Sequence, residues 1–513
     1  MAIAPSSTIY FCNVPWSSDY AHVCDVSNVS TLLLGPPLIK SVSDYTYIRK
    51  DSTINVSVPM DELIGANYVM YKNVAHENET FYAFIESMEY KSDMATAVKI
   101  RTDVYQTWRS VMTVPSCFVE REHANTDTIG ANVVDEGLET GEYVKNSTDT
   151  IADLMTLCYI AAVSETSDAT PVQQAGRIYS GIFSGLAYYP FFGVDAVAEL
   201  QSFLNDYDRE GKANAVAAIF TYPRNLLPSG AVSGSPLTSD SMTSPSISKT
   251  VTYSQSTIDG YTPTNKKLLT FPYNFLHVTN LQGQAADYHF ELLNNNNGSF
   301  SFIVNGAMIP GAKVGLYPEA YKMSIGYNVE EALTIQNYPL CGWVSDAYAN
   351  WVAQNAGQIA MTTLGGAAAV ATGAVTASLP VAAGGIAAIF SQLLQIAPKQ
   401  REPDHAKGNS NTSSLMIASG FNSFYFHQMT IQYDQAQRLD EFFSAYGYKT
   451  NRFKVPNLTG RDTWNYVKTI DCIVKGGIPE DDRKQIQTML NNGVTIWHTF
   501  TNFGDYSQAN AIS

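Results

Sequence analysis

The chain has 513 residues, with 31 Lys and Arg set against 47 Asp and Glu for a formal net charge of −16. That length implies several domains with ample core, and the acidic balance argues against a protein that grips nucleic acid by its phosphates, which takes clustered Lys and Arg. The same balance is compatible with a surface over which DNA slides without sticking, while 31 Tyr and only 15% charged residues suit a β-rich, interface-rich protein.

The N-terminal MAIAPSSTIYF has neither a basic n-region nor an apolar h-region, so no secretory signal is expected. Six scattered cysteines (Cys12, Cys24, Cys117, Cys158, Cys341 and Cys472) form no CxxC, which suggests neither a zinc site nor a disulfide framework and fits assembly in a reducing cytosol. Residues 8–110 read as short strands with turns between them: 52–58 alternates, 81–90 is apolar and aromatic, and 97–108 continues the pattern. Antiparallel meanders or a small barrel follow from it.

Residues 117–143 crowd Glu120, Arg121, Glu122, His123, Asp127, Asp135, Glu136, Glu139 and Glu142 into one region. An acid–base or metal cluster is one reading. The spacing matches no zincin pattern and no nucleophile sits in a recognisable turn, so solvated faces or inter-subunit salt bridges are the other. No catalytic residue, metal site or cofactor is assigned.

Further on, 194–208 predicts an amphipathic helix with Val197, Leu200 and Leu204 on one face and Gly211 beyond its end. A strand at 215–221 ends at Pro223, and 227–250, rich in Ser, Pro, Gly and Thr, reads as a linker. Residues 267–337 are β-rich again. Within them, Asn-Gly at 297–298 predicts a hairpin between 288–293 and 299–304, and 320–329 predicts another strand. Two β-rich halves separated by helices suggest a duplicated barrel, although no repeat is visible at residue level.

The most unusual stretch is 347–398, which holds 52 consecutive residues without Asp, Glu, Lys, Arg or His. Its strong apolar residues are Ile359, Leu364, Val370, Val375 and Leu379 before Pro380, and Val381, Ile386, Ile389, Phe390, Leu393 and Leu394 after it. About 21 residues, from 359 to 379, are enough to cross a hydrocarbon core of about 30 Å as a helix. The first half is only weakly apolar, and small residues at Ala369, Gly373 and Ala377 allow close helix–helix approach. A buried helical hairpin, a flexible Ala/Gly loop and a conditional membrane-insertion segment all remain open. The flanks favour a movable loop, with Gly357, Pro380, Pro398 and Gly408 as hinges and a polar exit at 399–414.

Beyond it, 421–431 returns to strand and 435–446 predicts a helix with Leu439, Phe442, Phe443 and Tyr446 inward, closed by Gly447. Pro479 and the acids at 480–482 open a helix with Ile486, Met489 and Leu490 inward, which Gly493 stops before a last strand at 494–498. His498 beside Trp497 has no evident partner and reads as structural.

Two groups of these residues resemble a known family. The first is 118–123 (FVEREH) with Asp127 to Gly130, Glu136 and Gly141-Glu142, preceded by 81–85 and 103–107 and, more weakly, 11–15 with Asp19-Tyr20. The second is 440–448, Arg461, Asn465-Tyr466-Val467-Lys468-Thr469, 477–479, Gly493 through Trp497 and His498, Tyr506-Ser507 and Asn510. In order and spacing they resemble the distal tail tube, or tail knob, protein of small short-tailed (podovirus, picovirus-type) bacteriophages of Gram-positive hosts, over about 80–145 and 415–510. The resemblance implies an α+β, β-rich fold: two β-barrel-like tube regions with helical insertions, a long apolar loop and a C-terminal α+β domain, assembling as a hexameric tube. Along the chain this divides into 1–165, an N-terminal β-rich tube domain; 166–250, a helical and linker region; 251–350, a second β-rich tube domain; 351–414, the apolar loop; and 415–513. It further implies a structural, non-enzymatic virion protein, made in the host cytoplasm, that conducts DNA during ejection and whose loops plug the tube and then perforate the host membrane. Its partners would be five further copies, the proximal tail tube or connector, a cell-wall-degrading tip protein, the host membrane and the passing DNA. A pore-forming toxin-like membrane protein and a tail-associated cell-wall glycan hydrolase are the alternatives; the latter would need a carboxylate pair in a cleft.

Overall fold

The computed structural model describes residues 7–48, 52–73, 79–165, 177–178, 182–183, 186–212, 215–237, 246–280, 283–294, 297–307, 313–328, 330–335, 340–342 and 423–513. The apolar residues singled out between 359 and 394, and the hinges Gly357, Pro380, Pro398 and Gly408, lie outside them. The protein is β-rich α+β, and its chain divides into two compact units, each assembled from separated segments. The first comprises 1–141, 260–269 and 433–513; the second comprises 142–259 and 270–432.

In the first unit, a seven-stranded sheet has the order Leu38–Val42, Ile9–Cys12, Tyr68–Asn73, Glu79–Ser92, Ala95–Thr102, Thr53–Val56, Tyr45–Ile48. Its two edge strands are consecutive in the chain, separated only by Ser43 and Asp44. Three Cα steps of 3.8 Å bring Val42 and Tyr45 within about 11 Å, so the edges meet at one end and the sheet is nearly a closed barrel. Alternation buries both of its faces. Ile9, Phe11, Val69, Tyr71 and Ala83 enter one core, while Cys12, Tyr68, Met70, Tyr82 and Phe84 enter another with Trp16.

A five-stranded sheet, in the order His22–Cys24, Val494–Trp497, Trp464–Ile470, Cys117–Glu122, Tyr448–Lys454, completes the unit. Helix Glu480–Asn492 shares the first core through Ile486, Met489 and Leu490. Three acids occupy its first turn, where the helix dipole favours them, and Gly493 at φ 93° ends it.

The described residues of the second unit hold three four-stranded sheets, whose strands share one core, and a two-stranded pair, Arg177–Ile178 with Ile182–Phe183. Strand Leu157–Val163 is buried on both faces: Cys158, Ile160 and Ala162 face the main core, and Tyr159, Ala161 and Val163 pack with Leu200 and Tyr207 of helix Ala196–Arg209. No described helix is long and apolar enough to cross a membrane.

Three local expectations are corrected. The strand predicted to run to 108 stops at Thr102, because the Asp103 carboxylate accepts from the N–H groups of Tyr105 and Gln106, both at 3.1 Å, and starts helix Val104–Trp108. The hairpin about Asn297-Gly298 does not form: Ser299–Ala307 pairs with Ile247–Thr252 and Lys313–Pro318, which leaves it no free edge. Residues 290–292 turn as a 3-10 helix instead, with Phe290 stacked on Tyr253 at 3.8 Å. Of the strand predicted over 320–329, the described residues 320–328 form a tight turn, with Ala320, Lys322 and Met323 at positive φ. An Asn294 side chain holds it, accepting from Met323 N–H at 3.0 Å and donating to the Ser324 carbonyl at 2.6 Å.

Candidate functional site

Strand Cys117–Glu122 lies between Tyr448–Lys454 and Trp464–Ile470, so Glu120, Arg121 and Glu122 sit on an inner strand, while Asp135, Glu139 and Glu142 are exposed. Around it the first unit builds a buried polar network. Glu122 is fully buried; it pairs with Lys454 and accepts from Asn457 N–H at 2.8 Å. The buried Glu136 joins Arg121 and Lys267 and accepts from Lys449 N–H at 3.0 Å. Lys267 also donates to the Val134 carbonyl at 2.7 Å and lies 5.5 Å from the centre of the Tyr448 ring. Burial pulls its ammonium below the usual lysine range, and Glu136 opposes that pull.

Lys267 belongs to a ten-residue piece, 260–269, pinned by a second carboxylate. Asp440, buried on helix Tyr433–Tyr446, accepts from Tyr261 Oη at 2.8 Å, Thr264 N–H at 2.7 Å and both N–H groups of Asn265 at 2.9 and 2.8 Å. Asp127 accepts from Tyr448 Oη at 2.6 Å and Lys266 N–H at 3.2 Å. Burial, and then the Asp127 charge, raise the Tyr448 hydroxyl far above its ordinary value, so it remains a donor.

His123 is fixed on both nitrogens. Nδ1 accepts from Tyr466 N–H at 2.7 Å, so Nε2 carries the proton and donates to the Ser444 carbonyl at 3.1 Å. Burial, and then the Arg461 guanidinium, hold its pKa down to about 3. Such a ring cannot shuttle protons at neutral pH. Arg461 donates to the carbonyls of Asn510 at 3.2 Å and Ala124 at 3.1 Å, and its N–H donates to Asn465 Oδ1 at 3.0 Å. That same Asn465 oxygen lies 3.0 Å from His498 Nε2. Lys468 pairs with Glu120 at 2.9 Å, Tyr466 meets the Tyr446 ring edge-on at 5.2 Å, and Trp497 lies 5.2 Å from Trp464.

The geometry therefore brings Glu120, Arg121, Glu122, His123, Asp127, Arg461, Asn465, Tyr466, Lys468, Trp497 and His498 into one unit, next to Ser444 of the 440–448 stretch and to partners unmarked in the sequence: Asn265, Lys267 and Asn457. No local signal marks Lys267; its burial follows from long-range pairing. Chemically the arrangement is a clamp. Its buried carboxylates are saturated by fixed donors, and among the described residues no group of His, Cys, Asp and Glu is placed to hold a metal.

The network makes stability depend on pH in a stated direction. The unfolded His123 imidazole titrates near 6.5 and the folded one near 3, so between these values the unfolded chain binds more protons and stability falls as pH falls. From pH 7 to pH 5 this costs about 2 kcal/mol. Lowered His22, His289, His427 and His498 act in the same direction, and Asp103, raised by burial to about 6, acts against them. The His123 share is isolated by denaturation of His123→Asn at both pH values: its deficit relative to the parent should shrink by about 2 kcal/mol at pH 5. Parallel profiles would remove His123 from the account.

Comparison with known proteins adds sequence and fold relationships. Residues 238–511 match the family model of the C-terminal domain of tail knob protein gp9 of Bacillus phage phi29, and residues 5–113 match that of the Caudoviral major tail protein N-terminus. The tail knob proteins gp9 of Bacillus phages phi29 and B103 are each 25% identical to the chain, with alignments spanning 98% of it and 97% and 98% of theirs. The structure of the bacteriophage C1 tail knob protein, gp12, aligns with a TM-score of 0.59 at 14% identity, covering 99% of this chain and 100% of that one.

Proposed function

The chain belongs to the tail knob family of phage phi29 gp9 and is a structural component of a phage tail; from that premise we propose that six copies form the distal tube through which DNA leaves, and that the 351–414 segment plugs the tube and then enters the host membrane. In this reading the β-rich segments 1–165 and 251–350 build the wall, 166–250 links them, and 415–513, with the buried clamp around His123, holds it rigid. The observation that carries the membrane step is the run 347–398, 52 residues without an ionisable side chain and bounded by the charged exit at 399–407. Charge supports passage: 6 × −16 gives a tube of about −96, unfavourable for adhesion to phosphates. Its partners are other tail proteins on one side and the host membrane on the other, and it is made in the host cytoplasm.

Dye release from anionic phosphatidylglycerol vesicles tests this, comparing the full chain with a deletion of 357–398 at neutral and mildly acidic pH. Release by the full chain and none by the deletion is expected. Equal release by both would move the membrane activity elsewhere. No release by either, with rings still visible by electron microscopy, would leave the segment a plug or packing element.

A further inference from the structure

Two exposed apolar features, one in each unit, are unexplained by folding. In the first unit, Phe118 is in register with Phe453 on one side and Ile470 on the other. Paired residues share a sheet face, so the three form a row across three strands. Phe453 is 74% exposed, Ile470 46% and Phe118 37%. The outer strand of the row, Tyr448–Lys454, is a sheet edge, and it carries Lys449 and Arg452, neither of which is in an ion pair among the described residues.

In the second unit, the turn at 320–328 presents Met323, 89% exposed, and Ile325, fully exposed. The turn is not loose. Tyr321 is buried beneath it, its hydroxyl accepting from His289 N–H at 3.0 Å, and Asn294 clamps the backbone on both sides of Met323. Three non-glycine residues, Ala320, Lys322 and Met323, are held at positive φ, a strained backbone that makes sense where a side chain must be aimed. Acid dominates its rim: Glu319 and Glu330 flank the turn in sequence, and Glu331 neutralises Lys322 within it.

We propose that this prong of one copy docks on the Phe118–Phe453–Ile470 row of the next, a head-to-tail contact in which Met323 and Ile325 cover the apolar row and the acidic rim meets Lys449 on the edge strand. Charge selects the occupant. An anionic bilayer would repel an acid-rimmed prong. In a chain of net charge −16, copies repel over most of their surface, and an edge combining free cations with exposed aromatics is where an acidic apolar prong of another copy is attracted. A contact between two different patches propagates into a ring or a filament. The inference rests on the reading that copies assemble into a tube, and is independent of the 347–398 segment.

The test uses two full-length variants, Ile325→Asp, which disables the prong, and Phe453→Asp, which disables the row. Both side chains are exposed, so melting temperatures close to the parent's are expected and serve as the folding control. Sedimentation should show a self-assembling parent and self-association about 30-fold weaker or worse in each variant. An equimolar mixture of the two should form dimers and nothing larger, since one intact prong meets one intact row and neither copy can extend further. Variants that assemble like the parent, or a mixture that stays monomeric, overturn the contact; so does a parent that is monomeric up to its solubility limit. A parent that forms open filaments, with dimers in the mixture, keeps the contact and sinks the closed ring.

Discussion

Gly447→Ala should unfold the first unit or cost it about 3–4 kcal/mol, the sum of a left-handed backbone penalty and the displacement of packed backbone. Gly447 ends helix Tyr433–Tyr446 at φ 64°, its N–H donating to the Phe443 carbonyl at 2.8 Å while its carbonyl accepts from Arg121 Nη1, also at 2.8 Å. An added Cβ would lie 2.2 Å from the Glu122 carbonyl oxygen and 2.5 Å from His123 N. Neither atom can yield, because Glu122 and His123 belong to the inner strand and its clamp. Tryptophan fluorescence reads the outcome, since Trp16, Trp108, Trp464 and Trp497 all lie in this unit. The control is Gly137→Ala, at φ 65° with no atom within 4 Å of the added Cβ, which should cost about 1 kcal/mol. Equal costs at the two positions would show that left-handed strain, not the close approach, governs Gly447.

The helices were legible because their signals are local. Leu200 in one, Leu439 and Phe443 in another, and Ile486, Met489 and Leu490 in the third repeat at three- and four-residue spacing and are buried, with Gly447 and Gly493 as stops. Strand alternation was equally local: it identifies which residues share a face but not which strand lies alongside. The placement of 117–122 between 448–454 and 464–470 spans more than 320 positions, and one of the two ion partners of Glu136 is a lysine 131 residues away. Where two local signals competed, the capping carboxylate of Asp103 won over β pattern, and the claim of neighbouring strands on 299–307 won over an Asn-Gly turn. The residues of the site were visible as a family likeness and as a crowd of charges, but their chemistry was not: an acidic run in sequence divides in space into anions with their own cations, Glu120, Glu122 and Glu136, and exposed ones, Asp135, Glu139 and Glu142.

That difference sets the size of the second large effect. Glu136→Ala should cost the first unit about 3–5 kcal/mol, because it removes the buried anion that two cations share. The Lys267 side chain is 2% exposed and keeps the Val134 carbonyl, while Arg121 keeps the Gly447 carbonyl and the Phe442 ring at 4.8 Å. Glu136 is also what raises the Lys267 pKa against burial, so its removal lets that pKa fall further. The unfolded lysine, with its ordinary pKa near 10.4, then holds a proton that the folded one sheds, and the stability of the variant should rise with pH through the alkaline range. The parent, with Lys267 paired, should rise less steeply. The double variant Glu136→Leu with Lys267→Met removes both charges and fills the space, and should recover at least half of the loss, since a buried pair exchanged for apolar volume is often near neutral. Denaturant unfolding of the three proteins at pH 7 and pH 9 decides it. If the double variant is as unstable as Glu136→Ala, the loss comes from packing and from the vacated Lys449 N–H rather than from the missing countercharge.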